Sequence, residues 1–230
     1  MPNSVVEIVC RLKSMRNPKN VAGMARFGIN PENTLGVSIP VLRRMAAEIG
    51  KNHALALELW DSGIHEARLL AGFIDDPAQV GGAQMEEWAA EFDSWDVCDQ
   101  VCSSLFDRTP LAYHKALEWS ARKEEFVKRA GFVLMAALAV HDKKAGDAKF
   151  MPFFPIIVRE SCDGRNFVKK AVNWALRQIG KSRNMRLNRA AIAAARKIAA
   201  IDSPSAKWIA SDALRELSSP SVRKRLAVRR

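Results

Sequence analysis

Phe126-Val127-Lys128-Arg129-Ala130 recurs 41 residues later as Phe167-Val168-Lys169-Lys170-Ala171, and a fainter version stands at Leu187-Asn188-Arg189-Ala190. In a helix, the apolar residue and the alanine three or four positions on share one side. They therefore face the interior, and the lysines and arginines between them point off it. Outward from this element the chain reads as helix after helix with short breaks. Ser38-Ile39-Pro40 opens a helix to about Gly50, with Ser38 at the cap and proline in the first turn. Helices over 53–61, 64–75 and 84–92 follow, punctuated by Ser62-Gly63, Asp76-Pro77 and Gly81-Gly82. Ser94 caps a helix from Trp95 to about Phe106. Later helices are expected at 110–121, 124–141, 147–160, 164–180, 185–200, 204–217 and 221–229. No alternating β-branched stretch competes with this reading. No Pro/Gly/Ser-rich linker divides the chain, so residues 1–230 are expected to form one domain. A period near 40 built from helix pairs stacks antiparallel pairs into an all-α solenoid whose concave face holds an extended partner.

Charge indicates what that partner is. The formal net charge is +11. Residues 1–150 hold 18 Lys and Arg against 20 Asp and Glu, whereas residues 151–230 hold 18 against 5. So one-sided an excess points to a polyanion. The basic residues are interleaved with Ala and Ile at core spacing rather than facing a bulky apolar stripe, which favours nucleic acid over acidic lipid. Lys128, Arg129, Lys169, Lys170, Arg186 and Arg189 are the candidate phosphate contacts. No apolar run reaches the roughly 18 residues of a membrane span, and no secretory signal precedes Gly50. With Cys10, Cys98, Cys102 and Cys162 read as buried reduced thiols, a cytoplasmic protein is expected. The four histidines are dispersed, and no P-loop, G-x-S-x-G or H-E-x-x-H is present, so neither metal nor cofactor is expected. A helical-repeat protein scaffold without nucleic-acid binding is the bland alternative.

Trp95 and Asp99 stand four residues apart, hence on one helical side. Trp95-x-x-x-Asp99, then Phe126-Val127-Lys128-Arg129-Ala130, then Ala171-Val172-Asn173-Trp174-Ala175-Leu176-Arg177 follow in this order. Gly36-Val37-Ser38-Ile39-Pro40-Val41-Leu42-Arg43-Arg44 precedes them. Over roughly residues 20–200 this pattern resembles the HEAT-like-repeat DNA alkylation repair family, the AlkD-type alkylpurine DNA glycosylases. The resemblance implies that Trp95 and Trp174 wall the lesion nucleotide, that Asp99 is the catalytic carboxylate, and that Arg129 holds the neighbouring backbone and organises Asp99. Arg177 joins the DNA-contacting residues. Phe126 departs from the tryptophan that the family often carries there, and the chain before Gly36 matches poorly.

The chemistry so implied suits these residues. An N3- or N7-alkylated purine is already cationic and leaves as a neutral base without an enzymic acid. The transition state then needs stabilisation of an oxocarbenium-like sugar, a task for a carboxylate. A carboxylate about 4 Å from unit charge gains ~4 kcal/mol at an effective dielectric of about 20, against roughly 0.5–2 kcal/mol for each indole face. Asp99 is thus expected to dominate and also to orient water. The resemblance implies excision with the lesion still in the duplex, by a monofunctional enzyme acting on double-stranded DNA, and a monomer is expected of a repeat protein with a polyanion-binding face. A non-catalytic repeat protein that binds damaged or branched DNA is the alternative on the same scaffold.

Overall fold

The computed structural model of the protein describes residues 4–228. All regular structure among them is helical: α1 (Val5–Ser14), α2 (Pro18–Arg26), α3 (Ile39–Ile49), α4 (His53–Asp61), α5 (His65–Ile74), α6 (Gly82–Ala90), α7 (Trp95–Ser104), α8 (Ala112–Trp119), α9 (Glu125–His141), α10 (Phe153–Glu160), α11 (Asn166–Ser182), α12 (Met185–Ala199), α13 (Pro204–Leu217) and α14 (Pro220–Ala227). Short 3₁₀ turns follow α7 and α9. None of these helices is long and apolar enough to cross a membrane. The starts are set by local chemistry. The side chains of Ser4, Asn17, Asn52, Asn184, Ser203 and Ser219 each accept a backbone N–H from the first turn, satisfying donors that a helix leaves orphaned. Ser38 and Ser94 occupy cap positions without making that bond.

Two expectations change. Helices α1 and α2 precede Ser38, where none was anticipated; α2 buries no residue, so its apolar periodicity has no core to report. The helix expected over 147–160 is a 3₁₀ turn, a break at Met151-Pro152, and α10. Pro152 lacks the N–H that would continue the ladder. Arg229 lies outside the described residues, but α14 packs as a helix, burying Val222 and Leu226.

The chain divides into two compact units, Met1–Thr109 and Pro110–Arg230. In the first, α5 is central: α4 packs along it, and α3 and α7 lie against it. Trp60 and Trp88 stack at 4.0 Å, with Phe92 and Phe106 closing the cluster. In the second, the helices form two layers. α9, α11 and α13 lie side by side, joined by Phe126 against Phe167 and by Lys169 over Trp208. α8, α10 and α12 form the other layer, joined by Tyr113 on Phe153 and by the α10–α12 packing. The two units differ in charge. The first carries 10 Lys and Arg against 15 Asp and Glu, the second 26 against 10.

Candidate nucleic-acid interface and catalytic residues

Helix α7 of the first unit begins at Trp95. The Ser94 hydroxyl takes the Asn30 N–H at 2.9 Å instead of capping its own helix, and Asn30 Nδ2 donates to Asp93 Oδ2 at 2.7 Å. Both bonds fix the entry of α7 against the loop after α2. The Trp95 indole N–H donates to the Phe27 carbonyl at 3.0 Å, which sets the ring plane. Trp95 is half-buried and lines a cleft of about 740 Å³ with Met24, Phe27, Ile29, Ile39 and Leu69. One turn on, Asp99 is also half-buried. The structure thus brings Trp95 and Asp99 to one side of α7. Cys98 and Cys102 are buried behind them, and burial, then the neighbouring Cys98 thiol, pushes the Cys102 thiol up. Cys10 and Cys162 are exposed instead of buried, because each falls on a solvent-facing position of its segment.

Asp96 has a different job. It is buried, and its Oδ2 meets His65 Nε2 at 2.9 Å. Burial alone lowers the His65 pKa, but the hydrogen bond to Asp96 and the charges of Asp96, Glu66 and Asp93 outweigh it, and the net shift is upward. A raised folded pKa stabilises the fold below the unfolded value near 6.5, and this contribution disappears as pH rises through the folded value. Wild type should therefore lose stability relative to His65→Gln between acidic and alkaline pH. Denaturant midpoints measured for both proteins across that range check this; a constant difference would show that the pair is electrostatically silent.

In the second unit, α11 presents Phe167, Lys170, Trp174, Arg177 and Lys181 at helical spacing on its least buried side. Lys170 is exposed, and Trp174 is half-buried. Arg129, on α9, is only 5% exposed, and its Nη1 donates to the Phe167 carbonyl at 2.6 Å. It braces the first turn of the helix that carries Trp174. The cationic candidates then separate by what surrounds them. Lys128 Nζ sits 2.5 Å from Glu160 and 3.3 Å from Asp163. Burial raises the Asp163 pKa, but bonds from Arg165 and Lys128 reverse this and hold it at about 2. Arg177 is paired with Asp212 at 2.7 Å and with Glu216. The charges of Lys128 and Arg177 are thus balanced inside the protein. Arg186 and Arg189 are exposed, but on α12, in the layer behind α11.

This separation is testable. Lys170→Ala should weaken duplex binding and reduce the log–log salt slope by about 1, the signature of one lost phosphate contact. Lys128→Ala should leave the slope unchanged and cost about 1 kcal/mol of stability, because Glu160 and Asp163 lose the cation they share and keep only Arg159 and Arg165. Anisotropy titrations across a salt series, with melts alongside, distinguish the two; equal slopes for both variants would undo the assignment.

Sequence reasoning missed one member of the series. Trp208-Ile209 stands 41 residues beyond Phe167-Val168 and lies on α13, beside α11. It is the third repeat, whereas Leu187 lies on α12 in the other layer. Trp208 is 43% exposed, with the Lys169 ammonium 5.1 Å from its ring. Aromatic residues at 126, 167 and 208 were the signal.

A two-layered helical-repeat unit with an aromatic and basic stripe on one layer, together with a unit presenting a Trp/Asp pair, defines an α-helical repeat protein of the HEAT-like kind. A solved structure described as "A new family of proteins related to the HEAT-like repeat DNA glycosylases with affinity for branched DNA structures" shares this fold, with a TM-score of 0.77 and 19% identity over 93% of this chain and 96% of that one. No curated protein matches the sequence significantly. Residues 8–217 match the family model described as DNA alkylation repair enzyme, and the chain belongs to that family.

Proposed function

We propose that this protein is a monofunctional DNA glycosylase that hydrolyses the N-glycosidic bond of cationic N3- or N7-alkylated purines in duplex DNA. The observation that carries the reading is the α7 pair: a tryptophan locked through its indole N–H, with a partly exposed carboxylate one turn away. Trp95 and Trp174 offer aromatic faces to the lesion nucleotide. Asp99, ionised, stabilises the positive charge that develops on the sugar and orients the attacking water. Arg129 acts by positioning α11, and Lys169 and Lys170 meet phosphates. The base departs neutral, so the mechanism requires no histidine or neutral carboxylic acid.

The second reading is a binder of branched DNA without base excision, favoured by the affinity described for the solved relative. One experiment separates the two. Methylated duplex DNA is incubated with wild type and with Asp99→Asn, and free 7-methylguanine and 3-methyladenine are quantified, with binding to a four-way junction measured in parallel. Release by wild type that collapses in the variant supports the enzyme. Junction binding with no release from either supports the binder.

A further inference from the structure

A groove of about 580 Å³ runs between α10 and α12 in the second unit. One wall is Met151, Phe154, Pro155 and Val158, and the other is Ala190, Ala193 and Lys197. Both walls follow the three-and-four spacing of a single helical side. The segment from Met151 through α10 is more apolar than its core contacts require. Phe153 and Ile157 are buried in the unit, yet Met151 is 40% exposed and Pro155 is open to solvent. Scattered exposed apolar residues are ordinary. Here they are aligned, and they face alanines whose short side chains leave room for a larger side chain to reach the floor. That is the geometry of a helix-in-groove site.

Charge selects the occupant. Helix α12 contains no acidic residue. Arg189 and Arg196 are exposed and stand four and three residues from Ala193, so they flank the groove, as does Arg186, four residues from Ala190 and 3.8 Å from Asp147. The acid of α10, Glu160, is already held by Lys128 and Arg159. We infer that the α10–α12 groove docks an acidic amphipathic helix of a partner protein, with apolar anchors between the two helices and carboxylates against the α12 arginines. A second copy of this unit would set like charge against like. A phosphate backbone would meet the arginines but leave the Met151–Phe154–Ala193 floor without a role. The groove lies on the layer opposite α9, α11 and α13, so it can be filled while Lys170 and Trp174 engage DNA. The inference does not depend on the glycosidic chemistry.

The test uses the full chain and a fluorescein-labelled synthetic amphipathic helix with leucines at i, i+3, i+4 and i+7 and glutamates on both flanks. The same peptide with lysines on the flanks is the control. In anisotropy titrations the glutamate peptide should bind at least about tenfold tighter than the lysine peptide. Ala193→Trp fills an exposed position, and Arg189→Glu reverses a flank; each should weaken binding about tenfold while the thermal melt is retained. Equal affinity for both peptides, no binding of either, or variants that bind as well as wild type would overturn the proposal. Displacement of the peptide by duplex DNA would overturn it in favour of nucleic acid. Concentration-dependent dimerisation abolished by Ala193→Trp would overturn it in favour of a second copy.

Discussion

Asp99→Asn should release 7-methylguanine from methylated duplex DNA at least about 100-fold more slowly than wild type, while binding the same duplex within a few-fold. The substitution keeps the shape and removes the charge. At about 4 Å and an effective dielectric of about 20, a carboxylate stabilises a unit positive charge by ~4 kcal/mol, and ~1.4 kcal/mol is tenfold in rate. Partial charge development and solvent reduce this, so two decades is a conservative expectation. On the proposed reading, duplex binding draws on exposed lysines such as Lys170 in the second unit, which the substitution leaves intact. Trp95→Ala should lose less, on the order of tenfold, because an indole face contributes roughly 0.5–2 kcal/mol to a cation. It also leaves the Phe27 carbonyl without its donor. Single-turnover rates of base release, with anisotropy for affinity, measure both. A variant within threefold of wild type would remove Asp99 from the chemistry.

How much of this could be read from the chain follows from where the information sits. The helices and the 41-residue step were legible because Phe126 and Phe167 solve the same packing problem on adjacent helices, and their rings touch at 5.5 Å. The third step was hidden, because Trp208 replaces phenylalanine and the following residues, Ile209-Ala210-Ser211, lack the basic pair. Leu187-Asn188-Arg189-Ala190 imitated the repeat because any basic amphipathic helix with an alanine-rich core side produces such a string. Helix α2 escaped notice because it is short and exposed, and periodicity reports only on burial. Ser38 and Ser94 stand at their expected cap positions, but the sequence could not show that the Ser94 hydroxyl serves Asn30 instead of α7.

The candidate site divides along the same line. Trp95 and Asp99 are one turn apart, so their shared side is local information. The fate of the cations is not. Lys128 is neutralised by Glu160 and Asp163, and Arg177 by Asp212 and Glu216, acids more than 30 residues away that arrive only when the helices pack. A sequence displays lysines and arginines alike, and the tertiary fold decides which keep an outward charge. The exposed arginines of α12 are the sharpest instance. The chain shows their type, and only the packing shows that they lie on α12, in the layer behind α11.

Gly36→Ala should cost roughly 3–5 kcal/mol and lower the melting temperature by on the order of 10 °C for a chain of this length. Gly36 has φ +83°, and a Cβ there would stand 2.3 Å from the Asn17 carbonyl oxygen. That oxygen is in use: it accepts the Val21 N–H at the start of α2, while the Asn17 N–H donates to Leu35 at 2.7 Å. The Gly36 N–H donates at 2.6 Å to Glu66, a fully buried carboxylate that also takes the N–H groups of Leu35 and Val37. Moving the loop to relieve the clash therefore pulls on the α2 cap and on the three donors that satisfy Glu66, at about 1–3 kcal/mol for each buried group left unpaired. Gly50 supplies the control. Its φ of +77° is similar, but a Cβ there meets nothing within 4 Å. Gly50→Ala should then show only the strain of its own backbone conformation, φ +77° and ψ −166°, roughly 1–3 kcal/mol, and the loss at Gly36 beyond that range reports the clash. Urea unfolding of both proteins beside wild type gives that difference directly. Equal losses would mean that the Leu35–Val37 loop yields without disturbing Glu66, and that the glycine answers to backbone conformation only.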